Sequence, residues 1–243
     1  MRTTDPRLLF LPPAGAILLD LDGTLADTDP LHAQAWQTIT SSHFGITFSW
    51  PDYYQAVVIE GRSPADFLLS LGADVRSAKI GHEKASIFRQ LMRTRLTLAP
   101  GAESFLALAA REDITLAVVS GGSRSSVDSF LAVLWPGRPP EVSISRDDTA
   151  FRKPHPEPYV LALAKLRRPA ADCIAIEDTI RGIESASRAG VRSVLVTPDH
   201  DVASGSHQSQ KEADLTVSTF EELALLPLSQ GGWVLEKTAT SPP

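Results

Sequence analysis

Ile17-Leu18-Leu19-Asp20-Leu21-Asp22-Gly23-Thr24-Leu25, read as ILLDLDGTL (17–25), runs a block of aliphatic residues into two carboxylates one residue apart. The run is continuous rather than alternating, which is the pattern of a strand buried on both faces of a parallel sheet. Two acids that close together repel, and a buried strand is a costly place to set them. Their position at the end of the run is the first sign that this rim of the sheet does chemistry, because open α/β sheets bind ligands at the carboxyl ends of their strands.

Further short apolar runs follow: ITLAVVS (114–120), CIAIED (173–178), RSVLVT (192–197) and a weaker ADLTVS (213–218). Between them lie helical patterns at 101–112, 125–134, 157–166 and 179–190, the last closed by Gly190, a residue that favours helix stops. Strand and helix in alternation predict a doubly wound α/β parallel sheet, a Rossmann-like core with right-handed crossovers. Residues 30–97 break the rhythm with amphipathic helical segments and no convincing strand, so they read as a helical cap inserted after the first strand. The expected division is a core of 14–29 and 98–228, a cap of 30–97, and loose extensions at 1–13 and 229–243.

Composition limits the function classes. The chain has 243 residues, 43% of them hydrophobic and 21% charged, with a formal net charge of -6. That is enough for a normal core and gives no basic face for a nucleic-acid backbone. The apolar N-terminal stretch LLFLPPAGAILL (8–19) is interrupted by Pro12-Pro13 and followed by Asp20, so no membrane span is expected. The single cysteine, Cys173, excludes an internal disulfide and reads as a small buried strand residue. A cytoplasmic protein, a monomer or small homo-oligomer, is the expectation.

Other chemistry-bearing residues fall at the same rim. Ser120-Gly121-Gly122-Ser123-Arg124 follows the 114–120 run, Lys153 lies in FRKPHPEP, and Glu177-Asp178 follow CIAI. Alone, each has an ordinary reading as a cap, a turn or a solvated cation. Four chain segments delivering carboxylates, a hydroxyl with flexible glycines and a lysine to one rim point to a site instead.

This order of motifs resembles the haloacid dehalogenase superfamily, in its phosphatase branch with a helical cap. DLDGTL (20–25), Ser120, Lys153 in RKPHPEPY and EDTIRG (177–182) running to SRAG (187–190) carry the resemblance. Within it the chain looks most like sugar-phosphate phosphatases and β-phosphoglucomutases, through DGTLADTDPLHAQAW (22–36) and the Gly61-Arg62-Ser63 turn. The resemblance implies that Asp20 is the nucleophile that forms an aspartyl-phosphate and Asp22 the general acid and base. Mg²⁺ would be held by the Asp20 carboxylate, the Asp22 carbonyl and Asp178, with Glu177 as a further ligand. Ser120, Gly121 and neighbouring N–H groups would hold the phosphoryl oxygens, and Lys153 would neutralise the transferring group. An acid–base carboxylate at Asp22 favours phosphoryl chemistry over dehalogenation.

In the cap, the Arg62 turn resembles the one that meets the distal end of the substrate, with a competing reading as a solvated loop arginine. His32 resembles a cap-hinge histidine of the mutases and is a candidate substrate or phosphate contact, with a competing reading as a residue that caps or orients the first cap helix. Arg124 is weighed as a phosphate contact, and Trp36, Trp50, Tyr53 and Tyr54 as either inner wall or core of the cap. The expected activity is Mg²⁺-dependent hydrolysis of a small phosphorylated metabolite, a sugar phosphate. A phosphomutase is the alternative, and a catalytically idle binding protein a third reading.

Overall fold

The computed structural model describes residues 5–135, 138–197 and 213–238. It divides into two compact units, Asp27–Thr97 and the remainder of the chain.

The larger unit is built on a six-stranded parallel sheet. Its strands are β2 (Ala16–Leu19), β3 (Thr115–Val119), β4 (Val142–Ile144), β5 (Cys173–Glu177), β6 (Arg192–Val196) and β7 (Leu215–Val217), in the spatial order β4-β3-β2-β5-β6-β7. β2 pairs with β3 on one side and β5 on the other, Leu19 lying beside Val118 and Ile176. The chain therefore winds outward in both directions from β2, and the carboxyl end of β2 is the switch point where such sheets open a crevice. Ala16, Ile17, Leu18 and Leu19 are all fully buried. Burial of a large aliphatic side chain contributes about 1.5–3 kcal/mol, which outweighs the weak intrinsic preferences of so short a strand.

Helices α5 (Ala102–Arg111), α6 (Arg124–Leu134), α7 (Glu157–Leu166) and α8 (Ile180–Arg188) belong to this unit. Tyr159, Ala162 and Leu166 of α7 and Ala186 of α8 pack in one cluster with Leu18, Ala117 and Ala175 of the sheet. α8 starts on Thr179, whose hydroxyl accepts from the Gly182 N–H, and stops before Gly190 at φ 78°. The α8 boundaries thus follow its cap residues.

The terminal extensions differ from the expectation of loose chain. β1 (Leu8–Leu11) pairs antiparallel with β9 (Trp233–Lys237), which pairs with β8 (Leu223–Pro227), giving a second sheet in the order β1-β9-β8. Leu9, Leu11 and Leu235 are buried, and this apolar burial is what orders both ends. Arg192 adds a tie from β6, its guanidinium donating to the Phe10 carbonyl at 2.6 Å. Residues 1–4 and 239–243 lie outside the described residues.

The Asp27–Thr97 unit is helical: α1 (Asp29–Phe44), α2 (Trp50–Tyr53) continuing as a π-helical segment Tyr54–Ile59, α3 (Pro64–Ser70) and α4 (Ala78–Arg95). Ser49, Ser63 and Ser77 cap the starts of α2, α3 and α4 by accepting from Asp52, Asp66 and Ile80 N–H groups. Tyr53 is almost fully buried and packs against Phe48 and the edge of Phe67, so it belongs to the core of this unit. Trp50 and Tyr54 are exposed, their rings 5.4 Å apart.

Candidate active site

The end of β2 turns sharply into the site. Asp20 N–H still donates to the Ile176 carbonyl of β5 at 3.0 Å, which extends the sheet by one bond and fixes where the Asp20 side chain starts. Gly23 then takes φ 83°, and a Cβ there would fall 2.0 Å from Asp178 Oδ2. Glycine is needed at that position both for the backbone conformation and for the space.

Lys153 is the hub. Its Nζ donates to Asp20 Oδ1 and to the Val119 carbonyl, each at 2.7 Å, and to Glu177 Oε1. Those three bonds use all the donors an ammonium has. Burial alone would lower the lysine's pKa, but the facing Asp20 and Glu177 carboxylates outweigh it and hold Lys153 charged. Glu177 is almost completely buried and also accepts from the Tyr159 hydroxyl. Burial, then the Glu177 charge, raises the tyrosine well above its usual range, so it stays protonated as a donor.

Thr24 bridges two of the acids, within 3.2 Å of Asp20 Oδ2 and 3.1 Å of Asp178 Oδ1. Ser120 Oγ donates to Asp22 Oδ2 at 3.3 Å and accepts from the Gly122 N–H at 2.9 Å. A Cβ on Gly121 would meet nothing within 4 Å, whereas one on Gly122 would lie 3.2 Å from both Asp22 Oδ2 and Ser120 Oγ. The backbone thus comes close to Asp22 at Gly122, and Gly121 borders open space.

One oxygen each of Asp20, Glu177 and Asp178 lies within 4.8 Å of the others. Burial is the main cause that pushes Asp20 well above the ordinary carboxylate range, with Lys153 opposing it and Glu177, Asp178 and Asp22 adding to it. Asp178 is raised to about 8 by burial and by the Glu177 charge. A cluster of hard oxygen donors with too little positive charge fits a divalent cation such as Mg²⁺.

Asp20, Asp22, Ser120, Gly121, Lys153, Glu177 and Asp178 all belong to the larger unit, and the contacts above bring the acids, Ser120 and Lys153 together. His32 and Arg62 belong to the helical unit. His32 stacks on Phe88 with ring centroids 3.9 Å apart, and its Nδ1 is 2.5 Å from Lys84 Nζ. An ammonium can only donate, so Nδ1 accepts and a neutral ring carries its proton on Nε2. Arg62 is exposed, its guanidinium 3.3 Å from Ser70 Oγ and 3.4 Å from the Asp66 carbonyl.

Arg124 is committed elsewhere: it pairs with Asp148 and donates to Ser143 Oγ at 2.9 Å. That explains its presence without a phosphate. Sequence reasoning passed over Thr24, Tyr159 and Lys84. Thr24 stands inside the opening motif and Tyr159 inside RKPHPEPY, so their neighbourhood was visible. Lys84 carried no motif.

CbbY from Cereibacter sphaeroides is 32% identical over 220 residues, covering 86% of this chain and 93% of that protein. The crystal structure of CbbY from Rhodobacter sphaeroides in complex with phosphate superposes with a TM-score of 0.72 at 28% identity, over 86% of this chain and 95% of that one. A single-residue mutant of that protein in complex with xylulose-(1,5)bisphosphate gives 0.71 at 27% identity, over 86% and 96%. The family model of the haloacid dehalogenase-like hydrolases matches residues 14–190, from just before β2 to just after α8, and the chain belongs to that family.

Proposed function

We propose that the chain is a Mg²⁺-dependent phosphatase that hydrolyses a sugar phosphate through an aspartyl-phosphate intermediate. The single observation that carries the reading is the buried Lys153 ammonium shared by Asp20 and Glu177, with Asp178 and Asp22 beside it. A lone lysine among four carboxylates is a site built to receive more positive charge and a transferable anion.

Asp20, Asp178 and the Asp22 carbonyl would hold the cation, with Glu177 near enough to join them. When bound, Mg²⁺ supplies charge that lets an anionic ester approach an anionic nucleophile. The remaining work belongs to the side chains. An Asp20 oxygen forms a bond to phosphorus while the ester oxygen leaves. Asp22 gives its proton to that leaving oxygen, then takes one from the water that opens the acyl phosphate, so the proton count closes over the cycle. Ser120 and the Gly121 N–H are proposed to face the phosphoryl oxygens, the Gly122 N–H being taken by Ser120 Oγ, and Lys153 offsets charge at both Asp20 and the transferring group.

Substrate choice falls to the cap, because the core sees only a phosphoryl group common to all candidates. Arg62 and His32, with Lys84 beside the histidine, are the polar groups proposed to meet the sugar and any second phosphate. The bisphosphate held by the CbbY relative supports this class of substrate.

The test is release of inorganic phosphate across a panel of sugar mono- and bisphosphates with Mg²⁺ and with EDTA. Release in Mg²⁺ that stops with EDTA is expected. Transfer of the phosphoryl group between sugar positions without net release would overturn hydrolysis in favour of a mutase.

A further inference from the structure

We propose that Arg181 is a positioning residue for the reaction: one face of α8 grips the backbone of the Lys153 loop, and Arg181 sets how far Lys153 reaches toward Asp20. This rests on the function proposed above for Lys153.

The observation is a row of three contacts. The Lys153 carbonyl accepts from Arg181 Nη2 at 2.8 Å, the Pro154 carbonyl from Arg188 Nη1 at 3.4 Å, and the His155 carbonyl from Ser185 Oγ at 2.7 Å. Three consecutive carbonyls are thus taken by residues at 181, 185 and 188, the spacing that places side chains on one helical face. Ser185 is fully buried, so its bond is sheltered from water. Arg188 is also paired with Glu184, and its contact to Pro154 is the longest of the three. Among the described residues Arg181 pairs with no acid, and its bond falls on the carbonyl of the lysine itself.

The segment from Thr149 to Pro156 has no helix or strand to hold it. Its other ties include the Phe151 and Ala150 N–H bonds to the Glu157 carboxylate at 2.7 and 3.3 Å and the His155 N–H to Arg152 carbonyl bond at 2.9 Å. None of these restrains the Lys153 carbonyl. Yet Lys153 Nζ must meet three acceptors at once, and misplacement by about 1 Å is enough to cost catalysis heavily. α8 is suited to the task because it begins two residues after Asp178. The helix that follows the Glu177-Asp178 pair also fixes the lysine opposite them, so both charges of the site share one rigid reference.

Arg181→Met keeps the aliphatic stem and removes the donor. It is expected to lower kcat about 5–20-fold for an aryl phosphate with KM within about twofold. Arg181→Lys, which can still donate to one carbonyl, should recover most of the loss. In a Lys153→Ala background Arg181→Met should add less than about twofold, because its effect runs through the lysine. Hydrogen exchange at residues 151–155 should rise in Arg181→Met and rise further in Arg181→Met/Ser185→Ala. A raised KM with unchanged kcat would overturn the proposal, since Arg181 would then touch substrate. Equal losses with and without Lys153 would also overturn it. If the unaltered protein turns over no phosphate ester, the functional reading fails by itself, and hydrogen exchange decides the brace: unchanged exchange at 151–155 overturns it.

Discussion

Replacing Asp178 with asparagine should make the metal-free protein more stable at alkaline pH, although it removes a proposed metal ligand. The carboxyl titrates near 8 in the fold against 3.8 when solvated, through burial and the charge of Glu177. Below 3.8 it is protonated in both states and contributes nothing. Between 3.8 and 8 the unfolded chain ionises while the folded chain keeps its proton, so stability falls as pH rises, and the fall levels off above about 8. From about pH 5 to pH 8 this amounts to at most about 4 kcal/mol, at about 1.4 kcal/mol per unit of pH. Asp178 is not fully enclosed, and relaxation around it in an effective dielectric near 20 brings the expected difference to about 2 kcal/mol. In a chain of this size that corresponds to roughly 4–8 °C in Tm. The assay is thermal denaturation in EDTA of both proteins at about pH 5 and about pH 9. The gap in favour of Asp178→Asn should widen by that amount toward pH 9, and saturating Mg²⁺ should raise Tm in the unaltered protein and much less in the variant. Parallel pH profiles in EDTA would refute the reasoning, because Asp178 would then carry no electrostatic cost in the metal-free fold.

Asp20→Asn keeps the shape of the proposed nucleophile without its charge, so phosphate release should vanish while the circular dichroism spectrum is retained; full turnover would exclude an aspartyl-phosphate. Asp22→Ala should slow turnover of alkyl phosphates by about 10²–10⁴ and much less for nitrophenyl phosphate, whose leaving group needs little protonation. Lys153→Ala should cost about 10²–10³ with both substrates, because its charge acts at phosphorus, and equal leaving-group dependence of the two variants would show these roles misassigned. Gly182→Ala places a Cβ 1.9 Å from Glu177 Oε2 and 2.7 Å from Oε1. The carboxylate must move away from Lys153 and Tyr159, so kcat should drop at least about 10-fold although alanine is the better helix former by about 1 kcal/mol; unchanged kcat would mean that the helix shifts instead.

The parallel sheet was legible because its strands are apolar on both faces. Ile17, Leu18, Ile174 and Ala175 are fully buried, and runs of that kind have few other readings. β4 escaped because it spans three residues at the sheet edge with Ser143 in the middle and only Ile144 buried. The pairing of β1 with β9 escaped for a different reason. Neither segment is remarkable alone, and nothing local announces a partner more than two hundred positions away, as Leu9 and Leu235 are. At the site the acids and the lysine declared themselves through motif order. What surrounds them did not: Tyr159 looks like an ordinary apolar-face aromatic of α7, and only the folded chain shows its hydroxyl on Glu177. Arg124 shows the opposite failure, since a cation beside a glycine turn suggests an anion and here its partner is Asp148.

The position of β2 in the sheet also fixes an order of events during synthesis. Residues 27–97 close a compact unit from contiguous chain, so that unit can fold once Thr97 has cleared the ribosome. β2 emerges earlier and waits longer. Its neighbours at Leu116 and Ile174 are made much later, and β1 must wait for Trp233–Lys237. Until β3 emerges, the four-residue apolar block that becomes the centre of the sheet has two bare edges, the condition under which strands pair wrongly with other chains. A nascent chain stalled at a length that lets Thr97 clear the ribosome, but before β3 emerges, should therefore yield a protease-resistant helical fragment while residues 8–19 are cut freely. The same aliphatic block that positions Asp20 in the finished fold is exposed on both edges in the unfinished chain, where a chaperone would cover it.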